Sequence, residues 1–181
     1  MNVSPVSPNN SVLLFRADRR VDERGFLVRV FDTDVARANG IPGSFAQDSL
    51  SRSHRGVVRG LHPRQGQGEA KLVSCSRGPI FDVVVDLRPK SCTFRNRASF
   101  ELRDSERACP FVPVGCAHGF RALTEPADVS IPIGRSYDPG QDRTIAFDEP
   151  EPAIPLPLPV TLIWQRDGLA PSFADSLALL A

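Results

Sequence analysis

Short β-rich runs recur along almost the whole chain, and they constrain the fold more than any other feature. Each run is bounded by clusters of Gly, Pro, Asp or Ser, and the runs follow one another roughly every 8–15 residues. They cover residues 26–31, 45–50, 56–62, 70–75, 79–87, 98–103, 109–114, 118–123, 128–133 and 144–148. Short strands at this spacing are typical of an all-β sandwich or barrel, so we predict an all-β fold.

Two short helices are predicted beside these strands. One spans residues 32–40, with Asp32 or Thr33 as its N-cap and Gly40 at its end, and the other lies near the C-terminus in residues 171–181. A chain of 181 residues is long enough to bury one sizeable core. We therefore expect a flexible N-terminus at residues 1–10 and a single domain at residues 11–181.

Composition narrows the classes of partner. The formal net charge is +1, so no global basic field favours nucleic acid or an anionic membrane. The sequence contains no apolar run of membrane-spanning length and no signal-peptide pattern at its start. The 4 cysteines lack CxxC spacing and read as reduced thiols. We predict a cytoplasmic protein that acts on a small molecule, with no nucleic acid or membrane partner.

The segment at residues 55–86 carries the strongest chemical signal. It places His62 between a basic strand and a glycine-rich turn, and Lys71 opens the apolar strand that follows. Asp82 and Asp86 then alternate with buried valines. Histidine is the side chain whose pKa suits proton abstraction at neutral pH, and a lysine can stabilise an enolate. We therefore predict a base and an oxyanion-stabilising cation that face one ligand.

A catalytic imidazole usually needs a carboxylate to orient it, and the sequence leaves that partner open. Asp167 in the tail segment IWQRDG is one candidate, and Asp82 and Asp86 are two others. Two arginines, Arg24 and Arg59, are candidates for gripping a diphosphate, since guanidinium groups bind phosphate through paired hydrogen bonds.

Several longer motifs occur in one order between Val21 and Pro171, and together they resemble a known family. The motifs are DERGFLVRVF, FAQDSLSRS, RGVVRGLH, RGPIFDVVVDLR, PVGCAHGF and IWQRDGLAP. As a set they are similar to the dTDP-4-dehydrorhamnose 3,5-epimerase family. The resemblance implies a cupin-type double-stranded β-helix, or jelly roll, that dimerises by strand exchange and works without a cofactor. It also implies a carbohydrate epimerase of deoxysugar or natural-product biosynthesis.

The resemblance further implies a role for individual residues. His62 matches the family's base, Asp167 the aspartate that pairs with it, and Lys71 the lysine near the keto oxygen of the substrate. The implied substrate-binding residues are Arg24 (often acting across the dimer), Gln47, Arg59, His118 and Asp82, of which Arg59 and His118 match phosphate contacts.

A metal centre is not expected. Cupin metal sites use an HxH pair on one strand with a later Glu and His, and here the second position after His62 is Arg64. The chain has 3 histidines, and His54 stands apart from His62 and His118. Too few ligands remain for a typical site.

The departures from the family pattern are concentrated around proton return. Ile131 occupies the position of the family's acidic tyrosine, so we expect it to line the substrate pocket. Tyr137, the only tyrosine, lies six residues further, about 20 Å along an extended strand. Arg29, Ser49 and Arg64 also differ from the family, and the two arginines point to a changed ligand. The sequence keeps the base but lacks the family's recognisable proton donor. That role is left to Tyr137, to water or to no group.

Three functions remain open on the sequence. The first is a dTDP-4-keto-6-deoxyhexose 3,5- or 3-epimerase. The second is a repurposed cyclase, isomerase or eliminase for a non-nucleotide metabolite, and the third is a non-catalytic binding protein. We rank the first highest because the phosphate-contact set of Arg24, Arg59 and His118 is intact.

Overall fold

The structure is a computed structural model that describes residues 1–6 and 11–180. The strands are, in chain order, β1 (Asn2–Pro5), β2 (Leu13–Arg16), β3 (Arg19–Asp22), β4 (Gly25–Val28), β5 (Gln47–Ser53), β6 (Val57–His62), β7 (Lys71–Leu72), β8 (Ser74–Arg77), β9 (Pro79–Asp86), β10 (Arg97–Arg103), β11 (Ala108–Val112), β12 (Cys116–Ala122), β13 (Ala127–Ile133) and β14 (Leu162–Ile163). The helices are α1 (Thr33–Ala38), α2 (Gln165–Gly168) and α3 (Phe173–Leu180), with a 3-10 turn at Pro139–Gln141. Within this part of the chain, no helix has the length and apolarity needed to cross a bilayer.

Two sheets form the body of the fold. The first has the order β1-β2-β11-β7-β13-β5, with β8 also beside β13, and the second has the order β10-β9-β12-β6-β14. Neighbouring strands are antiparallel except β14, which runs parallel to β6. The separate hairpin β3–β4 stands outside both sheets. This architecture confirms the predicted all-β jelly roll with short flanking helices.

The main core lies between the two sheets, and β9 shows how the sequence builds it. Its run of valines alternates faces, so Val84 packs into the cluster shared by both sheets. Val83 and Val85 face the other way, under Ile145 and Phe173. Because β9 is buried on both faces, it gives its neighbour β12 a rigid support.

Two predicted segments differ from the structure. Residues 2–5 form β1 instead of a flexible end, since they pair with β2 and the terminal ammonium lies 2.9 Å from the Asp18 carboxylate. Residues 7–10 of that predicted flexible segment lie outside the described residues. The predicted strand at 144–148 was wrong: Ile145 exchanges two backbone hydrogen bonds with Leu61, and the segment forms no longer ladder.

Candidate active site

An open cavity of about 870 Å³ lies between the two sheets and receives side chains from both. It contains seven of the nine residues that the sequence singled out as site residues. These are Gln47, Lys71 and Ile131 from the first sheet, Arg59, His62 and His118 from the second, and Asp167 from α2. The site therefore draws residues from segments more than 100 positions apart in the chain.

His62 and Asp167 form a hydrogen-bonded pair at the wall of this cavity. The imidazole Nε2 lies 2.8 Å from Asp167 Oδ1, and Asp167 Oδ2 accepts a second hydrogen bond from the Gly60 backbone at 3.1 Å. Burial alone would raise the pKa of Asp167, but the hydrogen bond and charge of His62 and the Gly60 amide outweigh it, so that pKa is lowered. An ionised carboxylate only accepts, so in the neutral form of the ring Nε2 carries the proton and Nδ1 keeps its lone pair.

The partner that the sequence left open is therefore Asp167. Asp86 is fully buried elsewhere and accepts hydrogen bonds from Arg88, Ser91 and Thr93. Burial alone would raise the pKa of Asp86, but these donors hold it well below its usual range. Asp86 is a structural anion.

A second histidine–aspartate pair lies beside the first. His118 on β12 is in register with His62 on β6, so both histidines face the same cavity. The His118 Nε2 atom lies 2.7 Å from Asp82 Oδ1. Asp82 has no exposed surface and does not line the cavity, so it is placed to support His118 and not to touch a ligand itself. It holds the ring of His118 from behind.

Lys71 reaches the same cavity from the first sheet. Its Nζ atom lies 3.3 Å from the His62 carbonyl oxygen and 3.1 Å from Glu69 Oε1. Burial lowers the pKa of Lys71, and the nearby Glu69 carboxylate opposes that shift. The ammonium is thus held close to the histidine from which a proton acceptor is expected.

Arg59 adds positive charge near His118. Its Nε atom donates to Ser53 Oγ at 3.0 Å and its Nη2 atom to the Arg52 carbonyl at 3.1 Å. Both hydrogen bonds fix the guanidinium at the cavity wall, where a planar donor suits a phosphate group.

Two arginines singled out in the sequence lie away from the cavity. Arg24 sits on the β3–β4 hairpin, is highly exposed and forms an ion pair with Asp22 at 2.6 Å. Arg29 pairs with Asp32, the N-cap of α1, at 2.7 Å. The expectation that Arg29 marks a changed ligand therefore finds no support in its position.

Ile131 and Tyr137 both line the cavity. The expected separation of about 20 Å assumed a continuous strand, but β13 ends at Ile133 and the chain bends after it. Tyr137 thereby reaches the rim, where its hydroxyl donates to Asp142 Oδ2 at 3.2 Å and the Arg64 guanidinium lies 5.3 Å from its ring centroid. Its position needs no rearrangement of the strand.

Glu69, Asp142 and Trp164 are among the residues at the site that the sequence reasoning missed. Glu69 and Asp142 flank Arg64 and line the cavity, and Trp164 lies exposed at its mouth beside α2. Trp164 stands in the quoted tail motif three residues before Asp167, which was an available signal. Among residues 1–6 and 11–180, no group of three or more His, Cys, Asp or Glu side chains is arranged to hold a metal ion.

Comparison with known proteins gives one consistent result. A family model described as dTDP-4-dehydrorhamnose 3,5-epimerase matches residues 8–175. The chain is 38% identical over 149 residues to the enzyme of that name from Methanothermobacter thermautotrophicus, covering 82% of this chain and 80% of the relative. It is 36% identical over 176 residues to a dTDP-4-dehydrorhamnose 3-epimerase from Streptomyces niveus, covering 90% and 85%.

A solved structure shares the whole architecture. The crystal structure of the 3,5-epimerase from Legionella pneumophila, in complex with dTDP-4-keto-L-rhamnose, superposes with a TM-score of 0.91 at 32% identity. The match covers 99% of this chain and 94% of that one. This similarity confirms the predicted cupin-type fold.

Proposed function

The chain belongs to the dTDP-4-dehydrorhamnose 3,5-epimerase family of carbohydrate isomerases, and from this premise we propose that it epimerises a dTDP-4-keto-6-deoxyhexose beside its ketone. The observation that carries the proposal is the 2.8 Å pair of His62 and Asp167 in one cavity with Lys71. The alternative of a repurposed enzyme for a non-nucleotide metabolite is not favoured, since the matches reported above are sugar-nucleotide epimerases.

The proposed first step is removal of a proton from the carbon next to the ketone. His62 Nδ1 accepts this proton, and the C–H electron pair moves to form an enolate on the former keto oxygen. Asp167 stabilises the resulting imidazolium through Nε2. The Lys71 ammonium offers a positive charge to the enolate oxygen, which is the atom where charge develops.

The diphosphate is expected at the side of the cavity that carries Arg59 and His118. The Arg59 guanidinium supplies fixed donors, and the Asp82 carboxylate keeps the Nε2 proton of His118 in place. The structure of the Legionella pneumophila relative, with its bound dTDP-sugar, supports a ligand of this class.

Proton return must occur on the opposite face of the enolate for the carbon to invert. Ile131 lines the cavity and has no proton to give. The Tyr137 hydroxyl already donates to Asp142. We therefore assign proton return to water entering the open cavity, and we expect inversion at one carbon, the reaction for which the Streptomyces niveus relative is named.

A second copy of the chain is expected to complete the site. Arg24 projects from an exposed hairpin whose neighbouring side chains, Val21 and Leu27, are also exposed. A partner chain that covers this hairpin would place the partner's cavity next to Arg24. Mixing the Arg24→Ala and His62→Ala variants tests this homodimer, because mixed dimers contain one intact site and regain activity, whereas a site confined to one chain gives no recovery.

The decisive experiment is incubation with dTDP-4-keto-6-deoxyglucose in deuterated water, followed by NMR. We expect deuterium at one carbon beside the ketone and release of the epimer, with loss of about 10²–10⁴-fold in His62→Ala. Absence of both label and a new sugar refutes the function. Label at two carbons supports epimerisation but refutes the single inversion, and Tyr137→Phe should retain epimer formation if water returns the proton.

A further inference from the structure

Four charged side chains join the Lys71 end of the cavity into one network. Lys71 Nζ lies 3.1 Å from Glu69 Oε1, and the other oxygen of Glu69 accepts a hydrogen bond from Arg64 Nε at 2.7 Å. Arg64 Nη1 in turn lies 2.8 Å from Asp142 Oδ1. The network therefore alternates in sign along its length: lysine, glutamate, arginine, aspartate.

The network is largely withdrawn from water. The side chains of Arg64, Glu69 and Lys71 expose 7%, 6% and 10% of their surface. An amine in such surroundings is driven towards its neutral form, because burial removes the hydration of the ammonium. Burial accordingly lowers the pKa of Lys71. A neutral lysine would lose the charge that an enolate oxygen requires.

Glu69 is placed to counter this loss, and Arg64 competes with Lys71 for it. The charge of Glu69 and its hydrogen bond favour the protonated lysine, with a smaller contribution from Asp142, whereas the charge of Arg64 disfavours it. The other titratable or charged side chains that line the cavity are Arg59, His62, His118, Tyr137, Arg166 and Asp167. Because each Glu69 oxygen has its own cationic partner, the carboxylate is fixed in one orientation.

We propose that Glu69 is a positioning residue that keeps Lys71 protonated and directed into the cavity, and that Arg64 limits this effect by sharing the same carboxylate. The proposal deepens the proposed function, on which it rests in one respect: Lys71 is taken as the cation that faces the enolate. The network would thus set the highest pH at which the enzyme works.

The chain offers an unusually direct test, since Lys71 and Lys90 are its only lysines. With ¹⁵N-labelled lysine, the two side-chain amines are followed by NMR as the pH is raised, and the exposed Lys90 serves as the internal reference. Glu69→Gln should move the midpoint of Lys71 to lower pH and leave Lys90 unchanged. Arg64→Gln should move it to higher pH. General damage to the cavity would not shift the two variants in opposite directions.

Turnover provides a second readout. In Glu69→Gln the alkaline limb of the profile of kcat against pH should move to lower pH, with KM little changed. At a pH above the Lys71 midpoint, the protonated fraction of Lys71 should fall about tenfold for every pH unit that the midpoint moves down. Glu101→Gln, in an exposed ion pair with Arg103, is the matched control. An unmoved Lys71 midpoint overturns the proposal, and if Glu69→Gln does not fold, an unmoved midpoint in Arg64→Gln does so. If the Lys71 midpoints move as expected but the enzyme does not turn over the sugar substrate, the epimerase function is refuted and the positioning role of Glu69 still stands.

Discussion

Replacing Asp167 with Asn tests how the base is prepared, because the side chain keeps its shape, loses its charge and exchanges one accepting oxygen for a donating nitrogen. The Asn oxygen can still accept from the Gly60 backbone N–H, which lies 3.1 Å from Asp167 Oδ2. The Asn side-chain nitrogen then takes the place of Asp167 Oδ1, which lies 2.8 Å from His62 Nε2. Two donors would then face each other. Leaving a buried donor unsatisfied costs about 1–3 kcal/mol. The imidazole proton should therefore move to Nδ1.

That shift of the proton removes the base. A preference of about 1–3 kcal/mol leaves the competent tautomer roughly 5- to 150-fold less populated, and the charge that stabilised the imidazolium is also lost. Together we expect kcat for deuterium exchange to fall by about 10²–10⁴-fold. Binding of dTDP, measured by calorimetry, should be unchanged, since Asp167 is not assigned to the phosphates.

Asp82→Asn is the matched control, because it makes the same chemical change in the neighbouring pair with His118. Here the expected result is reversed: dTDP binds more weakly, and kcat at saturating substrate falls less than in Asp167→Asn. Thermal unfolding of both variants checks that they are folded. An Asp167→Asn enzyme within about fivefold of the wild-type kcat, the lower bound of the tautomer effect, would refute the reasoning about the tautomer.

Three further changes probe proton return, acid stability and backbone packing. Ile131→Tyr should place a phenol in the cavity and raise the ratio of epimer released to deuterium exchanged, with Ile131→Phe as the control that lacks the hydroxyl; equal ratios in the two variants would contradict this. The lowered pKa of Asp86 means that its stabilising effect is complete above the ordinary value of 3.8 and is lost as the pH falls further. Asp86→Asn should therefore cost about 3 kcal/mol of unfolding free energy at pH 7, and its stability should fall less steeply in acid. Urea unfolding measured at a series of pH values checks this, and a variant whose unfolding free energy falls with pH as steeply as that of the wild type would count against it. Gly60→Ala should prevent folding, since at φ +110° its Cβ would lie 2.7 Å from Gly119 Cα and the His118 carbonyl, whereas Gly134→Ala, with no atom nearer than 3.4 Å, should yield folded protein by circular dichroism.

Local patterns predicted much of the fold. The alternating run at residues 79–87 became β9, and Asp32, one of the two predicted N-caps, is the residue that caps α1. The strand predicted at 144–148 failed because a short β-rich run becomes a strand only where a neighbour pairs along its length, and here Ile145 alone is paired. β1 was missed because it forms a strand through its pairing with β2, and a local sequence pattern does not reveal such a pairing.

The site was predictable where a motif lay on one strand and unpredictable where contacts cross the fold. His62 and Lys71 were expected to face one ligand, and both line the cavity. The link from Glu69 through Arg64 to Asp142 joins segments about seventy residues apart, so no spacing rule exposes it. Tyr137 was misjudged because the distance along a strand does not apply after the chain bends.

The register of His62 against His118 has a consequence for how such enzymes can diversify. The proposed proton-transfer group and the proposed phosphate anchor sit on hydrogen-bonded neighbours in one sheet, supported by the doubly buried β9, so their separation is locked. The opposite wall, with Ser49 on β5 and Ile131 on β13, belongs to the other sheet. Substitutions there can reshape which sugar fits while the locked pair is left alone. Lys71 on β7 is the one proposed reactive group in that sheet, so libraries restricted to β5 and β13 are the natural route to new sugars.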